Sequence, residues 1–310
     1  MVRIVCRKFF LERIFAMWDI LIGILEQGFI YGIMALGIYI SYKIMDFPDL
    51  SVDGTVPLGG AVSAALMLRG VNPWICLLVS FFAGCAAGAV TGLLHVKLKI
   101  KDLLSGILTM TALYSVNYRI AGAPNQFLMG QDTVFTLPQG APAWITLYKY
   151  LLISLAIALV MKYALDWYLS TKSGFLLRSV GDNQSLVVTL AQNPGRVKIL
   201  ALALSNGLVA LSGALSCQRS LQFDITSGTG TLVMGLAAVI IGTTVFRRLP
   251  FMRLTTGVLL GMVIYKACIS IAIASGMESS DTNLIITVLF VITLLVNDLT
   301  KGRKERRSAC

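Results

Sequence analysis

The stretch DFPDLSVDGTVPLGGAV, residues Asp46–Val62, lies between two long apolar runs, residues 18–42 and 74–98. Each run is long enough to cross a bilayer as a helix, which takes about 20 residues. The stretch between them carries two carboxylates, Asp49 and Asp53, together with a proline and neighbouring glycines. Irregular backbone is tolerated at membrane depth only where it is buried in protein or lines a wet cavity. The sequence therefore predicts a helical membrane protein whose chain is interrupted inside the bundle.

The composition extends this prediction to the whole chain. Of its 310 residues, 56% are hydrophobic and only 13% are charged, about half the charged fraction of a soluble domain. The apolar segments are 18–42, 55–69, 74–98, 103–121, 147–169, 198–218, 231–247, 253–275 and 283–299. We expect an all-α, polytopic membrane helical bundle with about 8 crossings, or 9–10 as the alternative. The segment near 46–69 is expected to be broken or re-entrant.

The distribution of charge predicts the topology. The net charge is +11, but the basic residues lie in short clusters between apolar runs, as in the cytoplasmic loops of membrane proteins. No basic face remains outside these loops, so a nucleic-acid partner is excluded. Segment 171–198 and the basic tail 301–310 are predicted inside, and loop 121–146 outside. Both termini are predicted to be cytoplasmic, because residues 1–17 are also basic. This prediction requires segment 55–69 to enter and leave the membrane on the same side.

The first 17 residues, MVRIVCRKFFLERIFAM, do not have the pattern of a secretory signal peptide. They contain basic residues throughout and no continuous apolar stretch. We interpret 1–17 as a basic N-terminal extension or a cytoplasmic interfacial helix, with Met17 as a plausible start of the functional chain.

Glycines at four-residue spacing predict close helix contacts. Gly84, Gly88 and Gly92 put a smooth stripe on one helix face, and the pairs Gly28/Gly32 and Gly257/Gly261 repeat the pattern. Such stripes are common in helical bundles, so they indicate packing and not a particular function.

The sequence contains no arrangement typical of an enzyme. There is no GxxxxGK[ST] motif for binding nucleotide phosphates. The only histidine, His95, is interpreted as an interfacial polar residue, and the six cysteines show no metal-binding spacing, so no metal and no catalytic residue are predicted. The chain is therefore expected to bind no cofactor itself.

Polar residues within or between the apolar runs are the candidates for a solute pathway, because charged groups at depth usually face the bundle interior or water. For Glu26 the alternative is a site near the interface, and for the aspartates it is capping of the next helix. Lys266, also within a span, could pair with an acid or extend towards the surface. The predicted pathway residues are Glu26, Asp49, Asp53, Asn117 and Asn206.

Segment 171–198 is the longest predicted cytoplasmic segment between spans. Asp182 can cap a short helix through Leu190, and Asn193–Pro194–Gly195 is interpreted as its stop. One face of that helix is apolar, which suits either a helix lying on lipid or a helix offered to the groove of a cytoplasmic partner. The predicted contact residues are Gly181, Asp182, Asn183, Leu186, Val187, Leu190, Pro194 and Gly195.

Several of these stretches together resemble a known family. The run Asp46–Val62, the run KIKDLLSGILTMTALYSVNYRIAGAPN (Lys99–Asn125) and the run from Gly181 to Leu215 resemble permease subunits of ATP-binding cassette (ABC) importers of the branched-chain amino acid and ribose type. The resemblance covers about residues 18–300 and is strongest to the branch paired with tryptophan/tyrosine-type binding proteins. It does not cover residues 1–16.

The resemblance implies a function and partners. It implies a permease that dimerises in the cytoplasmic membrane and moves a small solute, expected to be an amino acid and to include aromatic ones. A separate cytoplasmic ABC ATPase would bind the ATP, and an extracytoplasmic substrate-binding protein would deliver the solute. It divides the chain into the extension 1–17, a transmembrane permease domain 18–300 with a coupling segment 171–198, and the tail 301–310. A gradient-driven secondary transporter remains the alternative.

Overall fold

The computed structural model describes residues 2–136, 142–182, 189, 193–246 and 252–274, and the single residues 284, 287, 288, 291 and 292. Side chains are described from Met17 onwards, except at 143, 144 and 182. The helices are α1 (Val2–Ile38), α2 (Val52–Met67), α3 (Pro73–Lys97), α4 (Asp102–Ala121), α5 (Ala143–Ser170), α6 (Lys172–Asp182), α7 (Pro194–Ser220), α8 (Thr231–Val245) and α9 (Leu254–Ala274). A π-helix, Tyr39–Ile44, continues α1, and a 3₁₀ turn, Ile225–Gly228, precedes α8. Two short strands, β1 (Asn125–Phe127) and β2 (Gln222–Asp224), pair antiparallel with Gln126 opposite Phe223.

The predicted polytopic helical bundle is confirmed, but the count of about 8 crossings is not. Six helices in the described part of the chain are long and apolar enough to span a membrane. They are Met17–Ile44, Pro73–Lys97, Ile145–Ser170, Pro194–Ser220, Ile225–Val245 and Leu254–Ala274. Helix α2 is apolar but only 16 residues long, and α4 does not qualify as a candidate span. The predicted last segment, 283–299, lies almost wholly outside the described residues.

Contacts to the central helix α7 fix the directions of its neighbours. Helix α1 runs antiparallel to α7, since Ser205 donates to the carbonyl of Gly37 and Ser212 to that of Ile30. Helix α2 runs parallel to α7, since Thr55 donates to Asn206 while Ser63, two turns later, accepts from Gln218 near the end of α7. The chain thus turns back after α1, and α2 leads to the end of the bundle where α1 began.

These directions gather the basic connections at one end of the bundle, here called the basic end. It contains the connection at 98–101 and the described ends of the connections 171–193 and 246–253. The opposite end contains Met17, the connection at 68–72 and the paired strands. This grouping agrees with the predicted alternation of the loops. It does not agree with a cytoplasmic N-terminus. Helix α2 leads to the opposite end of the bundle and does not return to the side from which the chain entered. With the basic end in the cytoplasm, Met17 therefore lies on the other side of the membrane.

The glycine stripes pack helices closely, as predicted. A Cβ atom on Gly88 would lie 2.1 Å from the carbonyl oxygen of Leu202, and one on Gly84 would lie 2.4 Å from that of Asn206. Only a hydrogen atom fits at these two positions, and α7 is the most buried of the candidate spans. A Cβ atom on Gly32 would lie 2.8 Å from Cδ2 of Leu259 on α9, a side-chain atom that can move. The site described below is built on α7.

Candidate functional site

The chain is interrupted between α1 and α2, as the sequence predicts, in a segment of residues 45–51 that we call the break. The π-helix widens the last turn of α1, with the amide of Met45 donating to the carbonyl of Ile40 at 3.1 Å. The amide of Phe47 then donates to the carbonyl of Ser41 at 2.9 Å. Single π-helical turns are rare and are frequent at functional sites. Unlike the prediction, irregular backbone ends at Ser51, and Pro57 lies inside the regular helix α2.

Asp49 prepares the start of α2. Its Oδ1 accepts the amide of Ser51 at 2.9 Å, and Ser51 is the residue before the first turn of α2. The carboxylate is only 1% exposed. Asp49 therefore bonds the residue at the N-cap and not an amide of the first turn, and no side-chain hydrogen bond caps α2. Its Oδ2 remains for a second partner.

That partner is Asn206 of α7. Its Nδ2 donates to Oδ2 of Asp49 at 2.7 Å, and its Oδ1 accepts the hydroxyls of Thr55 at 2.8 Å and of Ser51 at 3.2 Å. We call Asp49, Ser51, Thr55 and Asn206 the polar cluster. Every member is at most 1% exposed. Hydrogen bonds engage both oxygens of the carboxylate, the amide of Asn206 and both hydroxyls. The polar cluster therefore fixes the end of the break and the first turn of α2 to α7.

The polar cluster lies deep in the bundle. Asn206 is twelve residues after Pro194, the first residue of α7, which is about 18 Å along a helix about 40 Å long. Helices interrupted near the middle of the membrane form the solute sites of many secondary transporters. The depth of the cluster therefore makes it the candidate functional site.

Asp53 caps a second helix at the same depth. It does not cap α2, on which it lies, but α8: its Oδ1 accepts the amide of Leu232 at 2.8 Å and the hydroxyl of Thr231 at 3.0 Å. Its Oδ2 accepts the amide of Gly230 at 3.2 Å. The first amides of a helix have no partner within it. Asp53 satisfies them and places a negative charge at the positive end of the helix dipole.

Asn117 of α4 holds the same region from another side. Its Nδ2 donates to the carbonyl of Gly54 at 3.0 Å, while its buried Oδ1 has no hydrogen-bond partner among the described residues. A Cβ atom on Gly54 would lie 3.0 Å from the Cα of Met110, so glycine lets α4 approach. Four of the five predicted pathway residues, Asp49, Asp53, Asn117 and Asn206, thus meet at the first turn of α2.

Glu26, the fifth, does not join them. It lies nearer the opposite end, 4% exposed, and pairs with the guanidinium of Arg219. Arg219 also lies over the ring of Tyr150, 5.4 Å from its centroid. Lys266 lies over the ring of Tyr31 at 4.0 Å, a contact the sequence did not indicate.

Sequence reasoning missed the residues that complete the site. Ser51 and Thr55 are common residues with no distinctive spacing, although both follow Asp49 closely in the sequence. Gln218 is 1% exposed and links α7 to the hydroxyl of Ser63, the carbonyl of Pro73 and the amide of Val134. Gln218 could have been selected from the sequence, because it is a polar residue inside an apolar run.

The predicted coupling segment packs against the start of the break at one described end and against α3 at the other. A Cβ atom on Gly181 would lie 1.8 Å from the carbonyl oxygen of Ile44, the last residue of the π-helix. A Cβ atom on Gly195 would lie 2.4 Å from the side chain of Val96 at the end of α3. Movement of this segment would therefore press directly on the connection that leads to Asp49.

The prediction for this segment is only partly within the described residues. Asp182 is the last described residue of α6, and the helix predicted to follow it stays a prediction. Asn193 and Pro194 start α7, a role that the sequence did not indicate, since Oδ1 of Asn193 accepts the amide of Gly195 at 2.9 Å. Proline suits the first turn of a helix because its missing amide hydrogen is not needed there. The predicted contact residues Asn183, Leu186, Val187 and Leu190 lie outside the described residues.

The chain is similar to several proteins with known names. It is 40% identical over 285 residues, 92% of this chain and 94% of the relative, to the tyrosine transport system permease protein of Clostridioides difficile. It is 32% identical to protein RP368 of Rickettsia prowazekii, over 89% of this chain and 97% of that one. It is 26% identical to the ribose import permease protein RbsC of Escherichia coli, over 72% of this chain and 69% of that one. No solved structure gives a significant match.

The family assignment covers nearly all of the bundle. The model of the branched-chain amino acid transport system permease component matches residues 20–296, which include the break, the polar cluster and the coupling segment. The expected resemblance to ABC importer permeases is thereby confirmed. The chain belongs to the family of permease components of branched-chain amino acid transport systems.

Proposed function

We propose that this chain is the membrane-spanning permease subunit of an ABC importer that carries an amino acid with an aromatic side chain into the cell. The observation that carries the proposal is the 40% identity, over 92% of the chain, to a tyrosine transport permease. The similarity to ribose and fructose permeases is lower, at 26% and 22% identity. An amino acid is therefore a better candidate than a sugar.

The architecture of the site supports transport. The helices α2 and α8 both begin at the depth of the polar cluster, tied to each other through Asp53. Interrupted helices let a protein present polar groups at membrane depth without exposing backbone to lipid. In the proposed mechanism, the junction of α2, α7 and α8 is the part of the subunit that changes between outward and inward access.

The energy for this change comes from a separate ATPase in our proposal. The sequence has no motif for cradling nucleotide phosphates. We assign the basic end to the cytoplasm, where segment 171–198 docks the ATPase and ATP is bound by that partner. An extracytoplasmic binding protein delivers solute to the opposite end, where Phe127 and Met129 are 67% and 82% exposed beside the paired strands.

A second copy of the chain completes the pathway in this proposal. Helix α4 buries one face against α2 and α3, while its other face, with Tyr114 and Tyr118, is about half exposed. That exposed face also carries Ser115 and Arg119, which suit lipid poorly. We therefore place the contact with the second copy along α4.

The test is uptake into vesicles. The purified permease is reconstituted with the proposed partner ATPase and binding protein, and uptake of radiolabelled tyrosine is followed. The proposal expects uptake that requires ATP and both partners, persists when ionophores collapse proton and sodium gradients, and is competed by phenylalanine better than by ribose. Uptake that follows an ion gradient and ignores ATP would instead support a secondary transporter.

A further inference from the structure

The single histidine of the chain occupies a position that the function proposed above does not explain. His95 lies in the last turn of α3 at the basic end. Its Nδ1 lies 3.0 Å from the carbonyl oxygen of Ile100 and 3.1 Å from a carboxylate oxygen of Asp102. Its Nε2 lies 3.3 Å from the ammonium of Lys198 on α7. The imidazole thus bridges α3, the start of α4 and the start of α7.

These neighbours determine which ring nitrogen carries the proton. Both neighbours of Nδ1 are acceptors, so Nδ1 must donate. The neighbour of Nε2 is an ammonium group, which only donates, so Nε2 must accept. The hydrogen-bond network therefore assigns a neutral imidazole with the proton on Nδ1. Only this tautomer satisfies Asp102 and Lys198 together.

The face of the ring contacts the break. Phe47 packs edge-on against His95, with ring centroids 5.1 Å apart, and is itself only 2% exposed. Phe47 lies two residues before Asp49 of the polar cluster. A shift of the imidazole would move Phe47, because a well-packed side chain has no free volume to absorb the displacement.

Lys198 connects His95 to the coupling segment. It lies in the second turn of α7 and is the last residue of segment 171–198. Gly195, in the turn before it, packs against Val96, the neighbour of His95. The same helix carries Asn206, two turns further on. A displacement of α7 by the coupling segment therefore reaches Asp49 by two routes, one through Asn206 and one through His95 and Phe47.

Resting on the proposed function, we propose that His95 is a positioning residue that transmits movement of the coupling segment to the break. It does so as a neutral Nδ1–H imidazole held between Asp102 and Lys198, with its ring against Phe47. An interfacial histidine that only shields the end of α3 would need neither the specific tautomer nor the contact with Lys198.

The first test uses the fact that the chain has one histidine. A protein purified with a histidine-free tag and labelled with ¹⁵N-histidine gives the signals of one imidazole in lipid nanodiscs. We expect one protonated and one unprotonated nitrogen with the proton on Nδ1. The Nε2 signal should move in Lys198→Met and stay in Lys97→Met, which removes an exposed lysine two residues from His95. An Nε2–H tautomer, or equal responses to the two changes, would overturn the proposal.

The second test measures coupling in the reconstituted importer. His95→Asn keeps a donor on the Nδ1 side but cannot reach Lys198, and Lys198→Met removes the contact from the other side. Each should lower the solute transported per ATP by about fivefold or more, a typical magnitude for coupling between sites. The double variant should be no worse than either single change, because both remove the same contact. ATPase co-purification should remain at the wild-type level.

The outcomes separate the two proposals. If the wild-type complex shows no ATP-driven uptake, the proposed function fails, and the role of His95 in transmission fails with it. If the wild type is coupled but His95→Asn and Lys198→Met behave like Lys97→Met, only the role of His95 is wrong. Size-exclusion profiles of all variants establish that each is folded before coupling is compared.

Discussion

Removing the carboxylate of Asp53 should loosen the junction between α2 and α8. The side chain accepts two amides and one hydroxyl from the first turn of α8. Asp53→Ala removes all three hydrogen bonds. Leaving an amide inside the protein without a partner costs about 1–3 kcal/mol, and two amides lose theirs here, so the loss should exceed the value of about 0.5–2 kcal/mol typical of a single helix cap. We therefore expect a loss of about 3 kcal/mol in stability.

Asp53→Asn should have a smaller effect. One side-chain oxygen remains to accept from Thr231 and Leu232, while the acceptor for Gly230 and the charge at the helix terminus are lost. An interaction of a charge with a helix dipole contributes about 0.3–1 kcal/mol, and up to about 2 kcal/mol where it is partly buried. The expected loss is about 1 kcal/mol, and transport should fall less than in Asp53→Ala.

The assay is the thermal unfolding temperature of the purified chain in detergent, followed by uptake. About 1 kcal/mol shifts the unfolding temperature by roughly 2–4 °C in proteins of comparable size, so Asp53→Ala should unfold about 5 °C or more below the wild type. Asp224→Ala is the matched control, because Asp224 caps the 3₁₀ turn in the same way but at a solvent-exposed hydrogen bond. If Asp53→Ala and Asp224→Ala unfold at the same temperature, the proposed role of Asp53 is wrong.

Three further predictions concern packing, coupling and topology. Gly88→Ala places a methyl group 2.1 Å from the carbonyl oxygen of Leu202 and should lower the free energy of unfolding by about 1–3 kcal/mol in the same thermal assay. In the control Gly23→Ala the methyl group meets nothing within 4 Å, so stability should not change. Leu186→Asp or Leu190→Asp should leave membrane insertion intact but abolish co-purification of the ATPase, since losing a leucine from an apolar groove of the partner costs about 2–5 kcal/mol. Normal co-purification would show that the segment is an interfacial helix and does not bind the ATPase. Reporter fusions should read outside at residue 130 and inside at residue 185, and a cytoplasmic reading at 130 would reverse the assigned orientation.

The sequence predicted the elements of the site better than their arrangement. Asp49, Asp53, Asn117 and Asn206 could be selected because polar groups are costly inside a membrane, and they do meet in the structure. Their partners could not be predicted, because pairing across 157 residues, as between Asp49 and Asn206, depends on which helices are neighbours. Glu26 satisfied the same criterion but pairs with Arg219 instead.

The errors also have physical causes. Pro57 and the following glycines predicted irregular backbone beyond Ser51, but Gly59 lies in regular helix, where a Cβ atom would be 1.8 Å from the carbonyl of Ala210. There glycine serves close packing and not a turn. Asn193–Pro194 opens α7, a role that the prediction of a helix stop left out, and the hydrogen bond from the amide of Gly195 to Oδ1 of Asn193 reveals it.

The most direct test of the account is ATP hydrolysis by the purified complex in nanodiscs. The permease, its ATPase and tyrosine-loaded binding protein are combined, and hydrolysis is compared with the same mixture containing Leu190→Asp permease. We predict that loaded binding protein stimulates hydrolysis only with the wild-type permease. Equal hydrolysis with both permeases, or no stimulation with either, would contradict the claim that this chain couples an ATPase to solute import.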